Sequence, residues 1–158
     1  MNALKRFIGA GFGSGLSPVA PGTMGSLAAL IPIYFSLFLH PLFGSLLIVV
    51  LGSLLTYYTT PACEAKWGED PGSLVMDEFA GQAIVFISIP FSYTLGQDWL
   101  LLLIGFSLFR FFDILKPLGI NRLQNLHGAT GILLDDLLAG FYALICLKTL
   151  IFFFPDFF

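Results

Sequence analysis

The strongest constraint on this chain is its division into five apolar runs, residues 24–39, 42–58, 79–95, 99–115 and 132–154, separated by Gly, Pro and short polar stretches. A perpendicular membrane span takes roughly 20 apolar residues. Several of the runs are shorter than that, so they should be tilted, lengthened by their flanks or only partly inserted. Composition agrees with a lipid solvent: 57% of the residues are hydrophobic and 11% are charged, where a soluble domain carries about 25% charge. The expected fold is all-α, a compact membrane-embedded bundle of about four to five apolar helices with short interfacial or re-entrant helices. Residues 1–158 should form a single domain.

A net charge of −3 offers no basic face to nucleic acid, so no nucleic-acid partner is expected. Cys63 and Cys146 lie far apart without a CxxC pattern and read as small apolar packing residues. Lys5 and Arg6 followed by apolar sequence imitate a signal peptide. Glycines and Ser14 interrupt that stretch before an h-region forms, and the segment is expected to be retained.

Lys and Arg placement orients the runs. Lys5 and Arg6 precede the first, Lys66 lies between the second and third, and Lys116 and Arg122 lie between the fourth and fifth. The connections at His40-Pro41 and at residues 92–98 carry neither Lys nor Arg, and Lys148 alone fits poorly. By the positive-inside rule the amino terminus is cytoplasmic. Four polar or Gly-rich stretches, GFGSGLSPVAPGTMGS, EAKWGEDPGSLVMDEFAG, RFFDILKP and HGATGILLDD, then fall at the cytoplasmic ends of the runs.

The run WLLLLIGFSLFRFFDILKP carries Arg110, Asp113 and Lys116 at every third position. With Trp99 in the outer aromatic belt, a rise of about 1.5 Å per residue puts Arg110 roughly 16 Å deep and Lys116 roughly 26 Å deep. An ionisable group at that depth costs about 2.5 to 3.5 kcal/mol and needs a partner or a wet cavity. One reading is an i,i+3 ion pair with Lys116 snorkelling. The other is a site. Asp77 and Glu78 open the third run and Asp135 and Asp136 open the fifth. Acids favour helix amino termini, but two adjacent acids exceed what a helix dipole requires.

Together with Asp113, three runs can project carboxylates toward one pocket, a donor set suited to Mg²⁺, which takes oxygen ligands. Zinc is disfavoured because His40 and His127 sit at opposite ends and no thiolate cluster exists. Candidate metal ligands are Asp77, Glu78, Asp113, Asp135 and Asp136. Arg110 and Lys116 suit an anionic substrate, Arg as a bidentate fork and Lys as a point charge. His127 could protonate a leaving oxygen or be a satisfied loop histidine. Thr23 and Ser26 lie where PGTMGS opens a helix; they could bind an anion there, or Thr23 could be an N-cap. No GxGxxG, GxxxxGK or GxSxG motif occurs.

The residues resemble the phosphatidylglycerophosphatase A family of bacterial membranes. Four motifs carry the likeness in order along nearly the whole chain: GFGSGLSPVAPGTMGSLAA, GSLVMDEFAG, FRFFDILKP and NLHGATGILLDDLLAG. The resemblance implies Mg²⁺-dependent hydrolysis of phosphatidylglycerol phosphate, a membrane lipid, to phosphatidylglycerol and inorganic phosphate. It would occur at the cytoplasmic face of the inner membrane, in phospholipid biosynthesis. Carried over by motif, Asp77, Glu78, Asp113, His127 and Asp136 would be catalytic, and Thr23, Ser26, Arg110 and Lys116 would bind substrate. Asp77, Glu78, Asp113, Asp135 and Asp136 would hold the metal. Ala129, Gly119 and Met76 depart from the family pattern. The competing reading is a small transporter or channel using Arg110 and Asp113 as an ion path, which would call for ionisable groups at several depths.

Overall fold

The structure, a computed structural model, describes residues 2–92, 95–123, 126 and 128–155, with residues 95–97 described as backbone alone. The described residues form helices and connecting turns, with no strand among them. In chain order these are α1 (Asn2–Gly9), a 3-10 segment (Gly11–Leu16), α2 (Pro21–Leu37), α3 (Pro41–Trp67), α4 (Met76–Val85), α5 (Leu95–Leu115), α6 (Ile120–Leu123) and α7 (Ala129–Phe153).

Two helices, α3 with 27 residues and α7 with 25, are long and apolar enough to cross a membrane. At 17 residues α2 is shorter, and α5, with 21, is ~31 Å long at 1.5 Å per residue. Their outer surfaces are greasy: Ile31, Phe35, Val50, Leu54, Leu103, Phe111, Phe141 and Phe152 are all exposed. Soluble monomers rarely carry apolar surface on this scale.

The run at 79–95 does not make a spanning helix. Its helix α4 covers Met76–Val85, 10 residues, or ~15 Å and about half a bilayer core. Turn hydrogen bonds then take over, from Phe86 to Ala83, Ile87 to Ile84 and Ile89 to Phe86, with Ser88 at φ 55. Pro90 explains the break, because it has no N–H and disfavours helical geometry at Ile89 before it. The run at 42–58, by contrast, continues to Trp67 and carries Pro61 inside the helix.

α4 is the hub. It packs against α2, α3, α5 and α7, and every residue in it except Ile84 is buried. Small residues permit that approach. A Cβ on Gly81 would lie 2.6 Å from the Asp136 carbonyl oxygen, and one on Gly52 would lie 3.0 Å from the Ala80 nitrogen. In lipid, where no hydrophobic effect drives helices together, such close backbone packing holds a bundle. It also fixes the start of α4 beside the start of α7.

Candidate active site

Four helix ends and one loop enclose a cavity of about 370 Å³. The start of α2 contributes Pro21, Gly22 and Thr23; the loop before α4 contributes Asp70, Pro71 and Gly72; α4 contributes Asp77 and Glu78. The end of α5 brings Arg110 and Asp113, Lys116 follows it, and α7 brings Asp135 and Asp136. Asp77 and Glu78, in the first turn of α4, meet the positive end of that helix dipole, whereas Asp135 and Asp136 lie about two turns into α7, which begins at Ala129 and has no acid in its first turn.

Arg110 ties three elements together. Its Nη1 lies 3.0 Å from Glu78 Oε2 and 2.7 Å from Asp113 Oδ2, and donates to Ser26 Oγ at 3.2 Å. The Ser26 hydroxyl in turn donates to Glu78 Oε2. On the opposite wall the Lys116 ammonium pairs with Asp135 Oδ2. Burial works against the Lys116 charge, yet the hydrogen bond and negative charge of Asp135, with Asp113 and Asp136, hold its pKa above the ordinary lysine value.

The charges do not balance. Asp70, Asp77, Glu78, Asp113, Asp135 and Asp136 face only Arg110 and Lys116 around the cavity. The deficit falls on two groups in particular, since Asp77 Oδ1 and Asp136 Oδ2 are buried with no hydrogen-bond partner. A buried unpaired carboxylate oxygen costs several kcal/mol or about that order, so this donor set fits a hard divalent cation. Among the described residues no three His, Cys, Asp or Glu side chains are gathered closely enough to hold one as they stand. The engaged positions explain this: Glu78 and Asp113 are turned to Arg110, and Asp135 to Lys116.

Backbone conformation is unusual around the cavity. Among the described non-glycine residues with positive φ, Ala20 (φ 46), Asp70 (φ 46) and Lys116 (φ 45) all line it. Left-handed conformations at such residues cost roughly 1–3 kcal/mol each and gather where a fold holds functional groups in place.

Of the residues singled out in the sequence, Thr23, Asp77, Glu78, Arg110, Asp113, Lys116, Asp135 and Asp136 share this cavity. Ser26 is fully buried behind its wall and acts on it through Glu78 and Arg110. His127 lies outside the described residues. Sequence reasoning missed Gly22, where a Cβ would overlap the Glu78 carboxylate, and the Asp70–Gly72 rim. The PG dipeptides at 21–22 and 71–72 were the available signal, readable as turns but not as one wall.

A family model described as phosphatidylglycerophosphatase A matches residues 7–151. A protein of Bacteroides thetaiotaomicron named "Putative phosphatidylinositol-3-phosphatase" is 41% identical over 146 residues, covering 90% of each chain. Phosphatidylglycerophosphatase A of Escherichia coli is 42% identical over 82% of this chain and 73% of its own. The Haemophilus influenzae protein of that name is 44% identical over 85% and 81% respectively. No solved structure matches. With likeness of this depth running through all four elements that build the cavity, the chain belongs to the phosphatidylglycerophosphatase A family of phosphatases.

Proposed function

We propose that this protein is a Mg²⁺-dependent lipid phosphatase that hydrolyses phosphatidylglycerol phosphate to phosphatidylglycerol and inorganic phosphate. The observation that carries the reading is the pair of buried, unpartnered oxygens, Asp77 Oδ1 and Asp136 Oδ2, in a cavity that also presents Arg110 and Lys116. Acids alone would suit a cation path. Acids with two cations suit a metal and an anionic phosphoryl group together.

In this reading Asp77 and Asp136 hold Mg²⁺ with help from Glu78, Asp113 and Asp135. When bound, the ion supplies Lewis-acid polarisation of the phosphoryl oxygens and a water of lowered pKa. Arg110 and Lys116 would receive the phosphate, each exchanging a carboxylate partner for a phosphate oxygen and leaving Glu78, Asp113 and Asp135 available as ligands. Ser26 keeps Glu78 and Arg110 in register during the exchange. Thr23 sits at the α2 amino terminus, where the helix dipole favours an anion. The proton needed by the leaving glycerol oxygen is assigned to His127 from its place in the sequence alone.

Lys5, Arg6, Lys66, Lys116 and Arg122 lie in the sequence segments on the side of the apolar runs that also supplies the cavity-lining stretches, and the positive-inside rule then favours a multi-pass inner-membrane protein with its site facing the cytoplasm. The ion-path reading lacks polar stepping stones: among the described residues of α5, the stretch between Asp98 and Arg110 holds only Ser107 as a polar side chain. A substrate panel tests the proposal. Purified protein with Mg²⁺ should release phosphate from phosphatidylglycerol phosphate faster than from phosphatidylinositol 3-phosphate or soluble glycerol 3-phosphate. Equal rates on all three would show that the lipid headgroup is not recognised, and preference for the inositol lipid would reassign the substrate.

A further inference from the structure

A second cleft, of about 250 Å³, is lined by Ala3, Arg6, Phe7, Leu16, Lys66 and Trp67. It shares no residue with the catalytic cavity. Both lie toward the same end of the bundle, because α3 ends at Trp67 and the chain enters the cavity wall at Asp70–Gly72. With 27 residues, α3 is ~40 Å long and outruns the roughly 30 Å hydrocarbon core. Trp67 at its end is therefore at headgroup depth, where Trp and Lys act as interfacial anchors.

The cleft combines two chemistries. Arg6 and Lys66 take part in none of the ion pairs among the described residues, and Glu64, two positions before Lys66, pairs with neither. Lys66 holds its ammonium 5.7 Å from the centroid of the neighbouring Trp67 ring, inside the cleft, while the Lys5 ammonium lies 4.0 Å from that of Tyr58. Beside the two cations, Leu4, Phe7 and Leu16 expose 64%, 49% and 56% of their surface. A short helix with an apolar face and basic flanks is built to lie in a membrane interface.

We propose that this cleft binds the headgroup of an anionic membrane phospholipid that is not being hydrolysed. Its phosphodiester would lie between Arg6 and Lys66, and its acyl chains along Phe7 and Leu16. Charge complementarity selects the headgroup, and the exposed apolar side chains select a lipid over a free phosphate ion. The site is also connected to the catalytic loop: the Val75 N–H donates to the Gly9 carbonyl at 2.9 Å, so the end of α1 holds the chain just before Asp77.

Trp67 makes the proposal measurable. The chain has two tryptophans, and Trp99→Phe leaves Trp67 as the sole indole, inside the cleft. The full-length Trp99→Phe protein would be placed in phosphatidylcholine vesicles containing brominated-chain phosphatidylglycerol or brominated-chain phosphatidylcholine. Quenching should give a relative association constant roughly tenfold higher for the anionic lipid, from the few-fold gain each basic residue contributes at a charged interface. Arg6→Gln with Lys66→Gln should bring that ratio to about twofold or less, with helicity by circular dichroism unchanged. Lys66→Gln alone, at an exposed position, should lower it roughly threefold. Equal quenching by both lipids, a ratio unmoved by either variant, or a ratio erased by millimolar inorganic phosphate would each overturn the proposal.

Discussion

Arg110 Nη1 lies 3.0 Å from Glu78 Oε2, joining the end of α5 to the first turn of α4 across 32 residues of sequence. The pair is buried enough to matter, with side-chain exposures of 14% and 10%. Nη1 serves Glu78, Asp113 and Ser26 from a guanidinium whose other nitrogens remain for an anionic ligand, where a lysine has one nitrogen and no planar fork. Arg110→Lys should therefore lower kcat/KM for phosphatidylglycerol phosphate by about 10²-fold, and Arg110→Ala by more. Steady-state kinetics check this, and a variant within a few-fold of wild type would free Arg110 of the role.

Asp77 and Asp136 are expected to trade stability for activity. Each carries a buried oxygen without a partner, so an amide at either position relieves the cost of burying an acidic side chain that nothing pairs. In EDTA, Asp136→Asn should melt at a higher temperature than wild type, by the equivalent of about 1–2 kcal/mol. Added Mg²⁺ should raise the wild-type melting temperature through linkage and leave the variant nearly unmoved. A wild type that does not respond to Mg²⁺ would contradict the metal assignment.

Two glycines separate positioning from packing. A Cβ on Gly22 would meet the Glu78 carboxylate, a side-chain end held by Ser26 and Arg110, whereas one on Gly81 would meet the Asp136 backbone at 2.6 Å. Gly22→Ala should cost activity, roughly tenfold or more, with a small change in melting temperature. Gly81→Ala must push α4 from α7, and should cost about 1–3 kcal/mol of stability as well as activity. Thermal unfolding measured beside phosphate release distinguishes the two, and equal losses of stability would erase the distinction.

Lys116 sets an alkaline limit. Its pKa is raised from 10.5, so its pairing with Asp135 stabilises the fold fully below the ordinary lysine value and is lost as pH rises through the folded one. Relative to Lys116→Met, wild type should keep a constant melting-temperature advantage from pH 7 to about 10 and lose it above that. An advantage that faded below pH 9 would have the wrong sign.

Most of the side chains that line the candidate site were legible because chemistry marks them. Paired acids at 77–78 and 135–136, and the three-residue spacing of Arg110, Asp113 and Lys116, are costly in lipid and so stand out. Helix ends were less legible. The run at 79–95 reads as one apolar segment, yet Pro90 limits its helix to Val85, and burial on all sides leaves no periodicity to reveal a half-length core helix. Close approach was hidden altogether. Gly22 and Gly81 matter for what a Cβ would strike on other helices, and one chain's sequence does not name those partners. Ser26 shows the same gap, since only its place behind Glu78 and Arg110 reveals that it supports the wall.

The proposed Mg²⁺-dependent phosphatase centre rests on the unpaired oxygens of Asp77 and Asp136. The most direct measurement is the initial rate of phosphate release from phosphatidylglycerol phosphate by the purified protein, with Mg²⁺ and with EDTA, for wild type, Asp77→Asn and Asp136→Asn. Wild type should turn over only with Mg²⁺, and each variant should fall by at least about 10³-fold under the same conditions. Turnover that persists in EDTA, or that survives both substitutions, would contradict it.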